Sequence, residues 1–165
     1  SMIYLDINPL EAIRFTKENI EMNKKQLREL IQDVLKSLEP NIPYSEEAVE
    51  LLMMTAAHES NLGEFIKQVK GPALGIYQME PATYNDIFDN YLIYKHWSPT
   101  RLGADVLRWS LWHSTTLARI HYYRVAEALP ETIEGASEYA KKYYNTIAGK
   151  ATATKYLEDY LRLVS

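Results

Sequence analysis

Glu59 is the residue best placed to do chemistry. It closes an apolar run, Val49 to Ala57, and is followed by Ser60, Asn61 and, soon after, Gly63. A carboxyl group at the end of such a run is partly desolvated, which favours its neutral form and keeps it protonated near neutral pH. A group of that kind can donate a proton to a glycosidic oxygen. The plainer alternative is a glutamate that reaches solvent from a helix end, since perturbed carboxylates are often structural. Two further segments carry suitable groups. Gly75-Ile76-Tyr77-Gln78-Met79-Glu80-Pro81-Ala82-Thr83 combines a glycine that permits close backbone approach, an amide that both donates and accepts, and an adaptable apolar thioether. Tyr143-Tyr144-Asn145-Thr146-Ile147-Ala148-Gly149 sets hydroxyl and amide groups at a predicted helix end, with Gly149 as a stop. Without a ligand these would be a turn with a helix cap, and a packed tyrosine pair with a polar cap.

Other chemistries find little support. The chain has no cysteine, so thiolate nucleophiles, thiolate metal ligands and disulfides are excluded. The four histidines are His58, His96, His113 and His121, and no two lie three or four apart as a helical metal pair requires. No metal and no cofactor is expected. His58 faces another side of the helix from Glu59, and His113 and His121, near Trp109 and Trp112, read as packing or surface residues.

The elements that must position these groups are helical. Asn8-Pro9 reads as a cap and first turn, and Leu10, Ile13, Ile20, Leu27, Leu30, Ile31, Val34, Leu35 and Leu38 recur at helical spacing. A break between two helices falls at Met22-Asn23, and Pro40 and Pro43 end the region. Ser45 caps the next helix, with Glu46 and Glu47 in its first turn, and its apolar body predicts burial on most sides. Residues 62–80, broken by Gly63, Gly71, Pro72 and Gly75, are the one irregular stretch, with weak strand-like alternation over 65–69. Pro81 opens a helix to about Leu92, Ser98-Pro99 forms a turn, and a long helix is predicted from Arg101 to Leu129, stopped by Pro130. Helices over about 132–144 and 151–163 close the chain. The fold class is therefore all-α with a very small β or irregular insert. One domain over 1–165 is expected, with N-terminal helices over 1–44 and the core over 45–165.

Composition narrows the partners. The chain carries 18 basic and 22 acidic residues, a net charge of −4. That gives no general attraction to nucleic acid or anionic lipid. Arg101, Arg108, Arg119 and Arg124 are spread along the predicted long helix without forming a patch. Ser1 to Asp6 lacks the basic start and apolar run of a secretory leader, and no apolar run approaches the roughly 20 residues that span a bilayer. The 13 tyrosines suit both sugar stacking and helix packing, and packing accounts for most of them.

In order, Glu59-Ser60, Gly75-Ile76-Tyr77-Gln78 beginning sixteen positions after Glu59, Pro81-Ala82-Thr83 and Tyr144-Asn145 resemble the motifs of the soluble lytic transglycosylase and goose-type lysozyme family. The resemblance covers about residues 48–160. It departs from the family in four places. Tyr77 stands where a methionine is usual, and Glu80 where an apolar residue is common. The late motif is longer than Tyr-Asn-Ala-Gly, and residues 84–100 are unlike a typical member. It implies a lysozyme-like helical domain and, given the missing leader, a divergent, phage-encoded virion or lysis protein. Residues 1–44 would then cover the core or dock it to a larger phage or cell-wall assembly.

The implied substrate is peptidoglycan glycan, cut at the β-1,4 bond between N-acetylmuramic acid and N-acetylglucosamine. Glu59 would be the acid. Ser60 and Gln78 would bind substrate, Met79 would line the groove, Tyr77 would offer a stacking surface, Tyr144 would hold Glu59 and Asn145 would contact sugar. A transglycosylase needs no second carboxylate, because the substrate's acetamido group assists and a 1,6-anhydro end forms. An inverting lysozyme needs a second carboxylate roughly 6.5–9.5 Å away, for which Glu64, Asp86 and Asp89 are available. The absence of a marked second acid favours the transglycosylase. The rival is an inactive binding module of the same fold, which the departures at Tyr77 and Glu80 favour and Glu59 opposes.

Overall fold

The structure, a computed structural model, describes residues 22–144 and 150–165. The predicted helix before Met22, with its cap at Asn8-Pro9, lies outside the described residues. Six α-helices are described: α1 (Lys24–Ser37), α2 (Glu46–Ser60), α3 (Pro81–Asn90), α4 (Leu111–Tyr123), α5 (Ile133–Tyr143) and α6 (Ala153–Leu163). Among the described residues the fold is all-α.

Local chemistry sets most of the helix starts. Asn23, Ser45, Ser110, Thr132 and Thr152 each accept a hydrogen bond from the backbone N–H three residues on, satisfying a donor that has no partner within the helix. Pro81 occupies the first turn of α3, where its missing N–H costs nothing. The cap at Asn23 coincides with the break predicted at Met22-Asn23.

Helix α2 is the centre. Ten of its residues are buried, on all sides of the helix, because α1, α4, α5 and α6 all pack against it. That accounts for a helix whose apolar residues show no single stripe. A first core gathers α2, Leu27, Ile31, Val34 and Leu35 of α1, Ala136 and Ala140 of α5, and Tyr156 and Tyr160 of α6. A second core lies under α3, where Tyr84, Ile87 and Phe88 meet Leu38, Ile42, Leu74 and Leu107. Helix α4 belongs to both: Ala118 and Tyr122 face the first core, Leu117 and Ile120 the second.

Two expectations are corrected. The helix predicted over 101–129 is only α4, preceded by a 3-10 turn at Ala104–Arg108. Gly103 has φ +94°, which a helix cannot continue through, and Ser110 caps a fresh start. At the other end the helix stops at Tyr123, with Arg124 as its C-cap and the Arg124 guanidinium 2.7 Å from Asp86 of α3, and Pro130 follows an irregular segment rather than stopping a helix. The four arginines thus do not share one helix, and Arg101 lies before the 3-10 turn. Residues 65–69 form no strand. Their one ladder contact is an isolated bridge from Lys67 to Leu74, itself bridged to Met79.

Candidate functional site

The chain turns sharply just after Glu59. Asn61 and Leu62 have φ of 51° and 57°, and Gly63 has φ +86°. Three successive left-handed residues end α2 abruptly and release the chain into the irregular segment. Left-handed conformations are costly for side-chain-bearing residues, and they concentrate at functional sites and switches. Ser60 closes this end from inside. Its hydroxyl donates to the Ala56 carbonyl (3.0 Å) and accepts from the Gly63 N–H (2.9 Å), and its side chain is fully buried. Ser60 is therefore a cap of the turn, not the substrate contact that the sequence suggested.

The segment 74–79 folds back on itself. Leu74 and Met79 exchange backbone hydrogen bonds of 2.9 and 3.0 Å around a tight turn. Gly75 is required there: its φ is +80°, and a Cβ would stand 2.2 Å from the Leu107 carbonyl oxygen. Gln78, with φ 48°, bonds the Gly75 carbonyl through both its backbone and side-chain N–H groups, at 3.0 and 2.9 Å. Tyr77 points inward. It is 1% exposed, and its hydroxyl pairs with Thr115 at 2.8 Å, so it offers no stacking surface. Tyr144 donates to the Tyr77 carbonyl at 2.5 Å, tying the end of α5 to this turn.

Between these parts lies a cavity of about 520 Å³. Its walls bring together Glu59 from α2, Gln78, Met79 and Glu80 from the turn, His121 from α4, and Tyr144. Four predicted site residues, Glu59, Gln78, Met79 and Tyr144, thus share one cavity. Ser60 and Tyr77 do not line it, and Asn145 lies outside the described residues.

The partner of Glu59 is Tyr156, not Tyr144. The Tyr156 hydroxyl donates to Glu59 Oε1 at 2.6 Å. Burial pushes the Glu59 carboxyl above its usual range, opposed by that hydrogen bond and by the neighbouring His58. His58 turns away from the cavity. Its Nδ1 pairs with Asp159 of α6 at 2.8 Å, and its ring packs on Tyr156 with centroids 3.8 Å apart. The His58–Asp159 pair thus locks the ring that holds the acid. Tyr160, one turn on, reaches back to Glu50 of α2 at 2.6 Å. The signal for this layer is legible in hindsight: Tyr156, Asp159 and Tyr160 form the buried stripe of a strongly amphipathic last helix.

His121, expected as a packing or surface residue, lines the cavity. Its Nδ1 lies 3.0 Å from Arg124, which also binds Asp86. Arginine can only donate, so Nδ1 accepts and the ring proton sits on Nε2. Burial and the Arg124 charge push the imidazole down to about 4. At neutral pH it is an uncharged donor on the wall of the cavity that Glu59 also lines.

The carboxylates named as second acids are engaged elsewhere. Asp86 binds Arg124, Asp89 binds Arg101 at 2.6 Å, and Glu64 accepts from Asn61. Glu80 is the other carboxylate on the cavity wall among the described residues. No group of three His, Asp or Glu side chains gathers as a metal site among them, and no described helix is long and apolar enough to cross a membrane.

No protein-family model matches the chain, and no curated protein or solved structure is significantly similar to it.

Proposed function

We propose that the protein is a peptidoglycan-cleaving enzyme with Glu59 as its general acid. The observation that carries this reading is a largely buried carboxyl group, pushed toward its protonated form and held by Tyr156, on the wall of a cavity that also presents amide, imidazole and phenol groups. The order of the motifs around Glu59, Gln78 and Tyr144 supports the choice of substrate and a lysozyme-like kinship.

The reaction follows from one acid. Glu59 gives its proton to the glycosidic oxygen as the bond to the muramic anomeric carbon breaks. The substrate's own acetamido oxygen bonds that carbon in place of the leaving group. The Glu59 carboxylate then takes the proton of the sugar's 6-hydroxyl, whose oxygen displaces the acetamido group. A 1,6-anhydro end forms, and the acid is restored. Gln78 orients the acetamido side, and the His121 Nε2–H supplies a neutral donor that does not lower the acidity threshold of Glu59 as a cation would.

A second reading rests on Glu80. An exposed carboxylate on the same cavity wall is a base for water, which would make the enzyme a hydrolytic muramidase. Digestion of purified peptidoglycan by the native protein, Glu59→Gln and Glu80→Gln, with products identified by mass spectrometry, separates the two. Anhydro products from the native protein and from Glu80→Gln support the transglycosylase. Reducing-end products that vanish in Glu80→Gln support hydrolysis. No products from the native protein, with sedimentation onto peptidoglycan retained, would leave a binding module.

A further inference from the structure

A second cleft, of about 180 Å³, opens beside the C-terminal half of α4, between the irregular segment 124–132 and α5. Arg119 forms its floor. This arginine is only 4% exposed, yet among the described residues it makes no ion pair and donates no hydrogen bond, and its Nε is sealed without a partner. Its one specific contact is with the Tyr123 ring, 5.3 Å from guanidinium carbon to centroid. Arginine cannot shed its charge, so burial does not neutralise it. A buried cation without an acid is an incomplete arrangement.

The cleft's other polar groups do not complete it. Tyr122 is bonded to Thr55 at 2.8 Å, and Tyr139 donates to the Glu127 carbonyl at 3.0 Å. Glu127, the acid on the rim, turns its carboxylate to Tyr143 and Lys142. The remaining walls are apolar, among them Val125 and Leu129.

We infer that this cleft is a binding site for an aliphatic carboxylate, with the Arg119 guanidinium as its anion contact and Val125 and Leu129 against the hydrocarbon. A planar fork of donors matches a carboxylate edge. Phosphate, more heavily hydrated, needs several donors, and this cleft has one cationic group and apolar walls. A free short-chain acid and the C-terminal carboxylate of a short peptide share this chemistry. The site stands apart from the Glu59 cavity and does not rest on the function proposed for it.

The test is an NMR titration of the isotope-labelled full chain with butyrate, N-acetyl-alanyl-alanine and inorganic phosphate at constant ionic strength. The Arg119 Nε–H and the amides of Val125 to Leu129 are the reporters. Saturable shifts with butyrate or the dipeptide are expected, and the tighter of the two identifies the source. Arg119→Met should weaken that binding about thirtyfold or more, as expected when one partner of a buried charge pair is removed. Arg119→Met should also melt no lower than the native protein, because it removes a buried unpaired charge. Val125→Trp, which fills the cleft and leaves Arg119 intact, should abolish binding as well. Absence of saturable shifts with both carboxylates, equal binding by Arg119→Met or Val125→Trp, or tighter binding of phosphate would overturn the inference.

Discussion

The Glu59 cavity and the Arg119 cleft each place an ionisable group out of water, and they resolve the cost in opposite ways. Glu59 has a chemical escape: burial shifts it toward its neutral form, and the Tyr156 hydroxyl holds the carboxyl group. Arg119 has none, so its charge persists where no acid among the described residues meets it. A buried acid can be neutralised within the fold, whereas a buried guanidinium keeps its charge and calls for a counter-charge. The layers behind the two groups reflect this. Behind Glu59 stand Tyr156, His58 and Asp159 in unbroken hydrogen-bonded or stacked contact. Behind Arg119 there is a tyrosine face.

The largest expected effect is on catalysis. Glu59→Gln keeps the shape and the hydrogen bond from Tyr156 but removes the proton, so turnover of peptidoglycan should fall by about 10²–10⁴, with far-ultraviolet circular dichroism unchanged. Retained turnover would mean that Glu59 resembles Arg119 more than a reagent.

A pH series sharpens the same contrast. The folded-state pKa of Glu59 lies above its unfolded value, so the native state binds its proton more tightly. That stabilisation is present in full below the ordinary carboxylate range and is lost as pH rises through the folded pKa. Melting curves of native protein and Glu59→Gln should therefore diverge as pH rises, with the variant gaining on the native at pH 8 relative to pH 4. Parallel curves would show that burial does not perturb this carboxyl group.

Removing the holding group should do less. Tyr156→Phe deletes a hydrogen bond that favours the carboxylate, so the Glu59 pKa should rise further and the alkaline limb of the activity profile should move to higher pH. The stability loss should be about 1 kcal/mol, read from chemical denaturation. An alkaline limb that moves down, or stays, would break the assignment of Tyr156 as the group that holds the acid.

The smallest effect belongs to a charge in water. Arg101 pairs with Asp89 at 2.6 Å, but both are well exposed. Arg101→Ala should leave the chemical denaturation midpoint almost unchanged, because water and salt screen an exposed pair. A larger loss would mean that ion pairing at this surface matters more than burial does at the two clefts.

Much of the fold was legible before any coordinates. The caps at Ser45 and Pro81, the all-round burial of α2, and the helices before and after residues 145–149 are local or periodic signals, and α2, α3, α5 and α6 all start within two residues of where those signals place them. The helix predicted over 101–129 failed because apolar spacing continues through Gly103 and past Tyr123, while Gly103 takes a positive φ, Ser110 caps a fresh start and the helix stops at Tyr123. The site was legible in part. Glu59 announces itself by its position at the end of an apolar helix, and Gln78 and Met79 by the turn that carries them.

The sequence by itself determined that the chain builds helices around one central apolar segment, and that an acid stands at the end of that segment. These follow from propensity, capping and periodicity, which act over a few residues. Only the tertiary structure decided which groups meet the acid. Tyr156 is 97 positions from Glu59, and His121 reaches the cavity from a different helix with its tautomer set by Arg124. Tyr77 and Ser60 were turned inward by the same packing. Partners so far apart in the chain are chosen by the burial of whole helices, and no local pattern records that choice.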